Sequence, residues 1–99
     1  MSDDEFASFA PPPFKAAVAL AQIKRSLRDL KLAERGNGFE LRGKPVLELA
    51  LQDTQIDVRM ARKLALTPQW DRMEINNSTS QRKLLDDIKR RLERWQHED

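Results

Sequence analysis

From Ile56 to Leu66 the chain alternates: Ile56, Val58, Met60, Leu64 and Leu66 fall on every second residue. Asp57, Arg59, Ala61, Lys63 and Ala65 fill the places between, and Arg62 is the one charge within the apolar row. A period of two gives a strand one dry face and one wet face. A strand built this way needs other strands beside it and something apolar above its dry side. The segment is therefore expected to be an interior strand of a small sheet, covered on one face by helices.

The neighbouring segments supply that sheet. Leu47, Leu49 and Leu51 form a second apolar row, and a turn at Gln52-Asp53-Thr54-Gln55 sets Leu51 opposite Ile56, Leu49 opposite Val58 and Leu47 opposite Met60. Phe39 and Leu41 form a third row. A two-residue Gly43-Lys44 turn would put that row on the wrong face, because a slip of one residue flips every side chain. An odd loop, Arg42-Gly43-Lys44, is expected instead, pairing Leu41 with Pro45 and Phe39 with Leu47. Beyond the break at Thr67-Pro68-Gln69, Trp70 to Ile75 reads as a fourth strand with Met73 and Ile75 facing in. On this register Glu48 lies opposite Arg59 and Glu74 opposite Lys63.

Helices bracket the strands. Phe14 to about Arg35 carries Ala16, Leu20, Ile23, Leu27 and Leu30 at helical spacing, enters through Pro13, and meets Gly36 and an Asn37-Gly38 turn at its end. The last helix is signalled by Ser78 and Gln81 at capping-box spacing. Its stripe is Leu84, Leu85, Ile88, Leu92 and Trp95, and Asp86–Arg90 and Asp87–Arg91 are spaced to pair on its exposed side. The expected fold is α+β, ordered α-β-β-β-β-α: a four-stranded antiparallel meander with the N- and C-terminal helices packed on one face. A second reading applies to Arg59–Leu66, whose Arg, Met, Ala, Lys and Leu are good helix formers. It makes 56–75 a helix-turn-helix; the register agreement with Leu47, Leu49 and Leu51 favours the strand.

Residues 1–13 read as a flexible acidic and proline-rich tail, with Asp3, Asp4, Glu5 and Pro11-Pro12-Pro13. Residues 14–97 read as a single domain. The net charge of +2 conceals an asymmetry, because the tail holds no base, leaving 18 bases against 13 acids in the rest. There is no cysteine, which removes disulfide, thiolate and cysteine-zinc chemistry. A cytoplasmic protein is expected, with no membrane partner, since no apolar run approaches the roughly 20 residues of a bilayer span.

Nothing in the sequence points to catalysis. His97 is the single histidine and sits among charges near the end of the chain. Gly36, Gly38 and Gly43 lack phosphate-loop spacing. No catalytic, cofactor-binding or metal-binding residue is assigned, and a non-enzymatic role is expected. Nucleic acid is one candidate partner. Arg42, Arg59, Lys63, Trp70 and Arg72 would stand on the wet face of the sheet, and Arg90 and Arg94 on the last helix, as phosphate and stacking contacts. Glu48 and Glu74 would neutralise part of that platform. The leading expectation is a protein-interaction module, a homodimeric adaptor or regulatory subunit using an exposed sheet edge or face.

Overall fold

The computed structural model describes residues 13–97; apart from Pro13, the expected tail lies outside the described residues. The elements in chain order are α1 (Ala16–Asp29), β1 (Ala33–Arg35), β2 (Gly38–Leu41), β3 (Lys44–Gln52), β4 (Gln55–Ala61), β5 (Trp70–Ile75) and α2 (Ser78–Gln96). The sheet is a five-stranded antiparallel meander in the order β1-β2-β3-β4-β5. The α+β class holds, with five strands rather than four. Helix α1 packs on β3 and β4, α2 on β5, and the helices touch each other, so both occupy one face.

The extra strand arises because the first helix stops early. Leu30 caps α1, and Lys31 takes a left-handed conformation with φ 69°. The Lys31 N–H donates to the Arg28 carbonyl at 3.0 Å, and the Leu32 N–H to the Leu27 carbonyl at 3.2 Å. This is a Schellman ending, and its apolar contact partners are both buried, Leu27 on the helix and Leu32 beyond it. The left-handed position is filled by lysine instead of glycine. Burying Leu32 offsets the roughly 1–2 kcal/mol that such a backbone costs. The chain then leaves as β1, where Glu34 reaches back to Arg28 at 2.8 Å and Lys24 at 3.5 Å. The Arg28 hydrogen bond holds the Glu34 carboxyl below its usual range, outweighing the opposing effect of burial, and the Lys24 charge adds to it. The turn to β2 is Gly36-Asn37, one residue earlier than expected, so Gly38 lies within β2. A Cβ there would stand 2.5 Å from the Leu47 carbonyl oxygen.

The β2–β3 hairpin obtains its odd residue by another route. Arg42 and Gly43 form a two-residue turn with φ 56° and 77°, the left-handed pair that suits a hairpin, and Leu41 faces Lys44. A bulge follows: Glu40 faces Pro45, Phe39 faces Leu47, and Val46 is left over. The expected Phe39–Leu47 pair is present, and the expected Leu41–Pro45 pair is replaced. Val46 and Leu47, adjacent in sequence, are both fully buried as a result. The β3–β4 ladder has the expected register, with Leu51–Ile56, Leu49–Val58, Leu47–Met60 and Glu48–Arg59 opposed.

The strand expected to run to Leu66 ends at Ala61, and the helical alternative is absent, since 56–75 is β4, a connection and β5. What ends β4 is side-chain capture of its carbonyls. Arg91 of α2 donates to the Ala61 carbonyl at 3.2 Å and Arg94 to the Arg62 carbonyl at 3.1 Å. The Arg62 N–H closes the connection by donating to the Gln69 carbonyl at 3.0 Å. Leu64 is buried, while Leu66 is 75% exposed. Glu74 consequently faces Asp57, not Lys63, and Arg72 faces Arg59.

Helix α2 is capped by Asn77, one residue before the expected cap Ser78. Asn77 accepts from the Ser80 N–H at 2.7 Å, and Ser80 Oγ accepts from the Asn77 N–H at 3.2 Å, a reciprocal box displaced from Ser78 and Gln81. Leu84, Ile88, Leu92 and Trp95 are buried, and Leu85 is half-buried. Arg90 pairs with Asp87 at 3.8 Å, a carboxylate it shares with Arg91 at 3.2 Å; the expected partner of Arg90 was Asp86.

Candidate interaction surface

The helices leave the other face of the sheet open. Strand alternation assigns to it Arg35 of β1, Glu40 of β2, Glu48 and Ala50 of β3, Asp57, Arg59 and Ala61 of β4, and Trp70, Arg72 and Glu74 of β5. Four carboxylates stand among three guanidiniums, so the face is close to neutral. A row of charge crosses the strands as Glu48, Arg59, Arg72, and the next row as Ala50, Asp57, Glu74. Arg59 approaches Glu48 at 3.6 Å, and Arg35 approaches Glu40 at 3.5 Å. A groove of about 150 Å³ lies over Asp57, Arg59, Arg72 and Glu74, below the roughly 300 Å³ at which small-molecule pockets begin.

The seven residues read from the sequence as nucleic-acid contacts fall into separate places. Arg59, Trp70 and Arg72 share the open face, but Trp70 is half-buried, packs against the core cluster and stands opposite the buried Ala61. Lys63 has left the sheet for the 62–69 connection. Arg42 sits in the β2–β3 turn and donates to the Gln96 carbonyl at 3.1 Å, closing the C-terminal end of α2. Arg94 joins the same end through the Arg62 carbonyl, and Arg90 is exposed one turn before it. Cations there complement the negative end of the helix dipole. The expected single-strand platform of interleaved base and aromatic is thus split between the open face and the end of α2.

A charged cluster the sequence reading did not assemble joins the layers. Asp71 lies on the helix side of β5 and accepts from Arg62 at 2.7 Å and from Arg91 at 2.9 Å. Those two hydrogen bonds hold its carboxyl below the usual aspartate range, outweighing the opposing effect of burial. Burial by itself would lower Arg91, but its bonds to Asp71 and Asp87 raise it further above its already high value. A signal for this cluster was present. Arg62 and Asp71 each interrupt an apolar row, and two opposite charges breaking pattern on neighbouring strands are candidates for each other.

Among the described residues no group of three or more His, Cys, Asp or Glu side chains is placed to hold a metal ion, and no helix is long and apolar enough to cross a membrane. No family model matches the chain, and no curated protein or solved structure matches it.

The sheet has two edges, β1 and β5, and β5, with six residues against three in β1, offers the longer one. Hydrogen-bond phase along the ladders says which backbone groups face it. The Arg62–Gln69 bond marks that pair as directly hydrogen-bonded, and bonded pairs alternate along an antiparallel ladder. The residues of β5 that exchange bonds with β4 are therefore Asp71, Met73 and Ile75. Trp70, Arg72 and Glu74 turn their N–H and C=O groups outward. Among the described residues no strand pairs with that side.

The cross-strand neighbours on the open face carry a first test. With Glu48 and Arg59 opposed, a double-mutant cycle to Ala should give a coupling of about 0.2–1 kcal/mol in denaturant unfolding. A coupling indistinguishable from zero would mean that the pair does not form in solution.

Proposed function

We propose that this protein is a non-catalytic protein-interaction module, an adaptor or regulatory subunit of the cytoplasm, whose docking element is the free edge of β5 together with the open face beside it. The observation that carries this reading is the outward row of backbone groups at Trp70, Arg72 and Glu74. A strand with unsatisfied donors and acceptors is a template for another strand, and main-chain pairing supplies affinity where side chains alone would be weak. The near-neutral, mixed-charge face beside it suits a protein partner better than a polyanion. The cysteine-free composition supports the compartment.

Arg72→Pro is the variant that tests the edge. Its N–H points away from β4, so proline removes an outward donor without removing a ladder bond, which edge strands tolerate. Wild-type and Arg72→Pro chains are used as baits in native extract treated with nuclease. Capture of protein that survives nuclease and is lost with Arg72→Pro supports the edge reading. Capture that proline leaves unchanged overturns it.

A nucleic-acid role is the second reading, supported by the placement of Arg42 and Arg94 together at the end of α2. It requires oligonucleotide binding that weakens steeply with salt and falls on Arg42→Ala or Arg94→Ala.

A further inference from the structure

Two like-charged pairs stand side by side where β4 meets β5. Arg59 is directly opposite Arg72, and Asp57 is directly opposite Glu74. Each arrangement is unfavourable within one protomer, and both occur in the strand pair that ends at the free edge. Together they make a block of two guanidiniums beside a block of two carboxylates. Such a surface is complementary to itself once rotated.

We propose that the occupant of the β5 edge is a second copy of this chain, paired antiparallel about a two-fold axis through Met73, with Arg72 of each copy opposite Glu74 of the other. This rests on the edge reading above and names its partner.

Backbone phase restricts the choice of register. Only Trp70, Arg72 and Glu74 offer outward groups, so bonded pairs must be drawn from these even-numbered positions; the Asn76 N–H just beyond the strand is taken by Ser80 Oγ at 3.1 Å. A two-fold axis must then pass through a residue, not between residues. An axis through Arg72 would set Arg72 against its own copy and Trp70 against Glu74. An axis through Glu74 would set carboxylate against carboxylate. An axis through Asp71 would pair Trp70 with Arg72 and leave Glu74 beyond the overlap. The axis through Met73 alone pairs opposite charges twice, brings the two methionines together on the helix side, and joins the sheets into one of ten strands. It also sets the Arg59–Arg72 block of each copy against the Asp57–Glu74 block of the other. The like-charged neighbours inside the protomer thereby gain compensation across the interface.

The test uses the full chain and reads mass by light scattering and sedimentation across a dilution series. Wild-type chain is expected at twice the monomer mass. Arg72→Glu and Glu74→Arg should each weaken the dimer by roughly tenfold or more, since each reversal acts at two symmetry-related pairs. Each also replaces a like pair inside the protomer by an opposite one, beside Arg59 or Asp57, so the isolated fold is kept or strengthened in thermal melting. An equimolar mixture of the two single variants should recover the dimer, because every facing pair is again complementary. Arg72→Pro should be monomeric.

Recovery of the dimer in the mixture supports this register. A wild-type chain that stays monomeric, a dimer indifferent to the proline, or a mixture that fails to recover overturns it. The edge reading is judged separately. Monomeric wild-type chain that still captures another protein through an Arg72→Pro-sensitive contact overturns self-pairing alone. Monomeric chain with no proline-sensitive capture overturns both.

Discussion

Trp95→Ala should destabilise the domain by about 3–5 kcal/mol in denaturant unfolding, the usual range for removing a buried aromatic. Trp95 is fully buried and is the largest side chain in the core. It closes the stripe of Leu84, Ile88 and Leu92 that holds α2 down. A domain of this size is stable by roughly 5–15 kcal/mol, so the loss is a large share of the whole. Trp95→Phe should cost less than the alanine change. The indole Nε1 is buried with no hydrogen-bond partner among the described residues, and an orphaned donor is itself a penalty of about 1–3 kcal/mol that phenylalanine removes. Arg90→Ala, on the exposed side of the same helix, should cost less than about 0.5 kcal/mol. Equal losses at Trp95 and Arg90 would mean that α2 presents a different face to the sheet.

Arg91→Ala should have the second largest effect, a loss of about 1.5–3 kcal/mol, the range for hydrogen bonds to charged groups. Its side chain is only 14% exposed, and the guanidinium bonds the Ala61 carbonyl, Asp71 and Asp87 at once. Truncation leaves a strand-end carbonyl and part of a carboxylate without a donor. Arg91→Lys should recover only part of the loss, because one ammonium cannot span three acceptors as the planar fork does. The pH dependence follows from Asp71. Its carboxyl is lowered in the fold by Arg62 and Arg91, so it binds a proton less readily folded than unfolded. Its contribution to stability is present above the ordinary aspartate value of about 3.9 and is lost as pH falls through the lower folded value. Denaturant unfolding at neutral and acidic pH should show a steeper acid loss in wild type than in Arg91→Ala. Parallel acid profiles would remove Asp71 from that role.

Period-two patterning reaches as far as faces and no further. The β3–β4 ladder was legible because Leu47, Leu49, Leu51, Ile56, Val58 and Met60 form two apolar rows joined by a short turn, which admits only one register. The β4–β5 ladder was not. Pairing Glu74 with Lys63 and pairing it with Asp57 differ by six residues, an even number, and both keep Met73 and Ile75 facing the helices. Alternation is blind to even slips, so the length of the connection decides, and that length depends on where β4 stops. This displaced Lys63 from the open face and hid the juxtaposition of Arg59 with Arg72. The candidate surface was thus half readable: its strands and the Glu48–Arg59 pair, without the charge rows at its edge.

Local periodicity that repeats over several residues was enough to read the α+β class, the buried stripe of α2, the central hairpin and the inward rows of β3, β4 and β5 from the chain alone. Tertiary structure decided the rest through single contacts between distant residues. Burial of Leu32 against Leu27 ended α1 at a left-handed lysine and released β1. Burial of both Val46 and Leu47 turned the odd residue of the β2–β3 hairpin into a bulge. Arg91 and Arg94, thirty or more residues away in the chain, took the carbonyls that would have carried β4 onward. A propensity is summed over a window and can be read in order; a capture made by one guanidinium from another element exists only once the layers have met.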